Sequence, residues 1–92
     1  YSGARTTDFE ISNISERSSD LNDSITGEIT NRYSEDIDQV CLTLLLRKDG
    51  EIVFIDNTYV DNLKTGVPKA FKFERYRGWP EHDTIDISAM VW

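Results

Sequence analysis

Cysteine is almost missing from this chain. Cys41 is the only one in 92 residues, so no intrachain disulfide can form and a disulfide-stapled mini-protein is excluded. There is also a single histidine, His82. A structural zinc site wants four nitrogen or sulfur ligands, which these two residues cannot supply. Apolar residues nowhere recur with the 3.6-residue period of an amphipathic helix, so a helical bundle is excluded. No apolar run is long enough to cross a bilayer, and no signal or lipidation motif occurs within the segment, so it is not expected to insert directly into a membrane. Internal repeats and low-complexity tracts are absent. Positive charge is scarce: 10 Lys and Arg stand against 17 Asp and Glu, a formal net charge of -7. Nucleic acid is therefore not an expected partner, because binding a phosphate backbone takes clustered Lys and Arg. An anionic membrane surface is disfavoured for the same reason. The acidic residues are spread along the chain, which reads as a solubilising surface charge.

What is present is a pattern of alternation. Ninety-two residues make one domain that buries about 60–65% of its unfolded surface. Hydrophobic residues make up 38% of it, enough for a globular core. Period-two alternation predicts strands over 7–14, 24–31, 37–47, 51–60, 69–77 and 84–92. Residues 15–23, Ser-Glu-Arg-Ser-Ser-Asp-Leu-Asn-Asp, read as a polar loop. Asp49-Gly50 reads as the tip of a hairpin, since both residues accept a positive φ. The stretch from Thr58 to Phe73 reads as a strand, a Leu63-Lys-Thr-Gly66 corner, and a second strand in the opposite sheet. Short strands with regular turns predict an all-β, immunoglobulin-like antiparallel β-sandwich of six to seven strands, spanning residues 1–92 as a single domain. The abrupt start at Tyr1 and the end on a strand at Trp92 suggest a domain cut from a longer protein, with any anchor or export signal outside this segment. Strand parity places Phe9, Ile29, Leu42, Leu44, Phe71, Phe73, Ile85 and Ile87 in one core.

Gly27-Glu-Ile-Thr-Asn31, the long apolar strand after it, Asp49-Gly50, Tyr59, Leu63, Gly66 and Phe71 together resemble the FxLYD domain family. The resemblance runs from Phe9 to Val91. At the family's namesake segment this chain reads Thr43-Leu-Leu-Leu-Arg47 and matches at Leu45 alone. The resemblance implies an immunoglobulin-like sandwich, bacterial, carried on a surface or secreted protein, working as an accessory or adhesion-like module. It implies an extracellular or cell-surface location and transfers no catalytic residue.

His82 lies between Glu81 and Asp83 and could be a general base oriented by a carboxylate. No Ser or Cys nucleophile accompanies it, so the adopted reading is a solvated loop histidine whose pKa the neighbouring acids raise. On that reading His82→Ala changes little. Asp20 and Asp23, then Glu35, Asp36 and Asp38, and finally Asp56 and Asp61 offer oxygens for calcium, but no EF-hand pattern accompanies them. They read as turn carboxylates, so neither a metal nor any other cofactor is called for. Asn13-Ile-Ser15 and Asn22-Asp-Ser24 match the glycosylation sequon, a short pattern that recurs by chance in such sequences. The run of Lys64, Lys69, Lys72, Arg75 and Arg77 reads as a solvated strand face.

Two functional expectations remain. The first is a non-catalytic protein-contact module. On the outer face, where the third and last strands meet, Cys41, Thr43, Leu45, Met90 and Trp92 form a group more apolar than a solvated face requires. Self-association or docking of a protein partner would use it. The second is a carbohydrate-binding module with Trp79, Tyr76 and Trp92 as stacking platforms.

Overall fold

The structure, a computed structural model, describes residues 8–91. They form six strands, β1 (Phe9–Ser18), β2 (Asn22–Asn31), β3 (Ile37–Lys48), β4 (Glu51–Leu63), β5 (Lys69–Tyr76) and β6 (Thr84–Val91). Two three-stranded sheets result, ordered β1-β2-β5 and β4-β3-β6, and every pairing is antiparallel. This is the immunoglobulin-like sandwich expected, with six strands rather than seven.

The sheets share one core. Ile25, Ile29, Phe71 and Phe73 project from the first sheet, and Val40, Leu42, Leu44, Leu46 and Val60 from the second. Of the eight core residues predicted, Phe9, Ile29, Leu42, Leu44, Phe71 and Phe73 are buried. Ile85 and Ile87 are only partly buried, though they pack against the core. The reason is position: β6 is an edge strand, so its side chains have a neighbouring strand on one flank only.

Two β-bulges reset the alternation. On β1 the register slips between Ser12 and Ser15, where Asn13 takes a φ of 54°. An extra residue swaps the faces of everything beyond it. Glu16 consequently sits opposite Ile25, on the inner side of the sheet. On β3 and β4 the register slips between Leu46 and Arg47, so that Leu46 faces Phe54 and Arg47 faces Ile52.

The expected polar loop over 15–23 is corrected. Ser15 to Ser18 continue β1, Asn22 and Asp23 open β2, and only residues 19–21 turn. This segment runs along the sheet edge, where backbone pairing with β2 holds it without a buried apolar face. Alternation of hydrophobicity cannot reveal such a strand.

The two ends of the sandwich are closed differently. At one end, the corner between β4 and β5 carries the chain from one sheet to the other. Gly66 has a φ of 78°, and its N–H donates to the Asn31 carbonyl at 2.8 Å. Asn31 is fully buried, and its side-chain amide donates to the carbonyls of Glu35 (2.8 Å) and Leu63 (3.3 Å) while accepting from the Tyr33 N–H (2.9 Å). At the other end, residues 77–83 cross from β5 to β6 as a strap. It begins with two left-handed residues, Arg77 (φ 69°) and Gly78 (φ 87°).

Candidate functional site

The outer face of the β4-β3-β6 sheet takes its order from the β3 register. Cys41 lies between Tyr59 of β4 and Met90 of β6, Thr43 between Asn57 and Ser88, and Leu45 between Ile55 and Asp86. The structure thus brings together four of the five residues expected there, while Trp92 lies outside the described residues.

Their exposure differs from the expectation. Met90 is 58% exposed, and Leu45 and Thr43 are half-buried, but Cys41 retains only 7%. Cys41 is therefore corrected from surface residue to the floor of the patch. Its side chain is small and sits on the central strand between two larger neighbours, so solvent barely reaches it. The apolar surface is supplied instead by β4, where Ile55 is 56% and Tyr59 49% exposed, with Ile52 and Val53 exposed nearer the hairpin.

Sequence reasoning left these β4 residues unassigned. A tight Asp49-Gly50 hairpin without a bulge would pair Leu46 with Val53 and turn Ile55 toward the core. The bulge turns Phe54 inward and Ile55 outward. No pattern in the sequence announces that slip.

Polar contacts are interleaved with the apolar groups. Thr43 Oγ1 donates to Asn57 Oδ1 at 3.0 Å, Gln39 Nε2 to Asp61 Oδ1 at 2.9 Å, and Arg47 Nε to Asp86 Oδ2 at 2.9 Å. The face is a set of apolar side chains framed by self-satisfied polar pairs. It can exclude water against a complementary protein surface without stranding a charge.

The strap end has a different character. His82 is no solvated loop residue, since its side chain is 11% exposed. Nδ1 lies 2.8 Å from the Pro80 carbonyl and Nε2 2.9 Å from Glu16 Oε1 on β1. The pKa of His82 stands above the ordinary imidazole value. The Pro80 carbonyl is the foremost cause, followed among the raising influences by the hydrogen bond and charge of Glu16 and the charge of Asp83, while burial opposes them. The rise was expected, but from sequence neighbours; the principal carboxylate comes from a strand 66 residues away. Asp83 in turn accepts the Asp49 N–H at 3.0 Å, which holds its carboxyl below the usual carboxylate range together with the Thr84 hydroxyl and the Lys48 charge.

The remaining candidates are engaged elsewhere. Trp79 is partly buried, packed edge-on against Phe54 with ring centroids 5.4 Å apart. Tyr76 is exposed, with the Arg77 guanidinium 5.6 Å from its ring centroid. Of the three rings expected as stacking platforms, Trp79 and Tyr76 therefore sit in unlike surroundings, and Trp92 lies outside the described residues. Asp23 accepts the Trp79 N–H at 3.2 Å, Asp36 the Thr65 N–H at 2.9 Å, and Asp61 the Gln39 amide. Among the described residues no three of His, Cys, Asp and Glu converge as a metal site would require. No helix among them is long and apolar enough to cross a membrane. Comparison with known proteins adds nothing further: no family model, no curated protein and no solved structure matches this chain.

Proposed function

We propose that this domain is a non-catalytic protein-contact module of a bacterial surface or secreted protein, docking through the outer face of the β4-β3-β6 sheet. The observation that carries the reading is two exposed apolar groups on a face that solvent should favour as polar, Ile55 beside Leu45 and, farther along the strands, Tyr59 and Met90 flanking Cys41. The residues shared with the FxLYD family, from Gly27 through Phe71, support the placement on a surface or secreted protein. The engagement of both His82 ring nitrogens within the fold supports a role without catalysis.

Self-association is the form of contact that the isolated chain can report. Sedimentation equilibrium of the parent, Leu45→Lys and Ile55→Lys over a wide concentration range is the test. The parent is expected to self-associate, and each lysine to weaken that association by about tenfold or more while leaving the circular dichroism unchanged, since it places a charge in a desolvated contact. A parent that stays monomeric at millimolar concentration, with Ile55 and Met90 shielded by its own residues from a soluble paramagnetic probe, overturns the reading.

A further inference from the structure

The strap that closes one end of the sandwich is held by contacts of two kinds. Some involve backbone groups: the Arg77 N–H donates to the carbonyl of Leu21 in the β1–β2 turn at 3.1 Å and the Asp83 N–H to the Arg47 carbonyl on β3 at 2.8 Å. The others are side-chain pins on its middle. Asp23 accepts the Trp79 N–H, and Glu16 meets His82. The strap is closely fitted between them. Arg77 is left-handed without being glycine, and Trp79 Nε1 is buried with no hydrogen-bond partner among the described residues. A Cβ on Gly78 would come within 2.6 Å of Asp23 Oδ2, so the strap passes this pin with no room to spare.

The His82 contacts decide what holds the middle down. Both atoms it touches, the Pro80 carbonyl oxygen and the Glu16 carboxylate oxygen, accept hydrogen bonds and cannot donate them. A neutral imidazole has one N–H, so it satisfies one of them and turns a lone pair toward the other. An imidazolium satisfies both. The geometry points to His82 as a protonation latch: the charged ring clamps the strap to β1, and loss of its proton releases residues 79–82 from the sandwich end while the sheets stay intact.

Every charged group around the ring fits this assignment. Glu16 comes from β1 and Asp23 from β2, and Glu81 and Asp83 lie on the strap itself. From β3, Lys48 reaches Glu81 at 3.3 Å and Arg47 is occupied by Asp86. The ring thus faces carboxylates, while Lys48 and Arg47 are paired away from it, Arg75 lies over the Phe54 ring at 4.6 Å and Arg77 lies 5.6 Å from the Tyr76 ring centroid. The acidic setting favours the clamped form, and the raised pKa of His82 agrees with it. Release uncovers Trp79 and, beneath it, Phe54 and Ile85, which pack at the margin of the core.

The test follows the strap and the ring separately. Imidazole NMR reports the titration of His82. Hydrogen exchange of the 79–82 amides, corrected for the intrinsic base-catalysed rate, reports the strap. Trp79 emission in a Trp92→Phe background reports exposure of the indole. As pH rises through the His82 titration, strap exchange is expected to speed up by about tenfold for each pH unit separating the clamped and released pKa values. Trp79 emission shifts to the red and the far-ultraviolet dichroism stays constant. Glu16→Gln removes the step, because a glutamine amide donates to a neutral ring as readily as its carbonyl accepts from a charged one. Strap protection that stays flat through the His82 titration, sheets that melt together with the strap, or a step that survives in Glu16→Gln each overturn the latch.

Discussion

Asn31 ties three segments together with one buried side chain, holding the turn after β2, the end of β4 and, through its own carbonyl, the Gly66 corner. Asn31→Ala keeps the backbone bond to Gly66 but leaves the Glu35 and Leu63 carbonyls and the Tyr33 N–H without this partner, and it is expected to cost about 2–3 kcal/mol in urea unfolding. Gly66 faces open space, so Gly66→Ala meets no clash, and its expected cost of about 1 kcal/mol comes from the left-handed φ alone. His82→Ala carries a pH signature instead of a fixed cost. The folded pKa of His82 lies above its unfolded value. Its contribution is therefore complete below the ordinary imidazole pKa and disappears as pH rises through the higher folded value. Melting temperatures of parent and variant should stand apart near pH 5.5 and draw together toward pH 9. The sequence reading of His82 as inert did not include this because, beside the local Pro80 carbonyl, its carboxylate partner Glu16 is brought to it by a bulge on a distant strand.

At the scale of elements, β3 is the axis of its sheet, paired along nearly its whole length on both sides. Leu44 on its inner face is fully buried, and Leu44→Ala is expected to cost about 2–5 kcal/mol by calorimetry or urea. Gly27 on β2 is a case of close approach. A Cβ there would lie 2.6 Å from the Phe71 ring, so Gly27→Ala must displace a buried aromatic and should destabilise although the residue added is small. The strands, the hairpin tip and the corner were legible in the sequence because each has a local signal: alternation in β3, Asp49-Gly50 at the turn, Leu63 followed by Gly66 at the crossing. The two bulges were not. A bulge adds one residue without changing composition, and it shows only as an exchange of faces. Ile55 on the contact face and Glu16 beside His82 both follow from such an exchange, which is why half of each candidate site escaped a reading by parity.

The whole molecule is acidic, and ion pairs such as Arg32 with Glu10 and Lys72 with Glu74 are exposed. Exposed pairs contribute little, so raising the salt concentration should leave stability nearly unchanged while reducing repulsion between copies. Any self-association through the Ile55 face should accordingly strengthen with salt. Phe9 pairs with Asn31 where β1 begins, and Val91 pairs with Val40 where β6 finishes. Both positions are at the Asn31–Leu63 end of the sandwich. Both strands are also sheet margins. A pull applied through residues 9 and 91 therefore loads the hydrogen bonds one at a time and peels β1 and β6 away like a zipper; it does not shear a whole ladder at once. Force applied between these two ends thus meets one hydrogen bond at a time, and the sandwich yields to it at a low load.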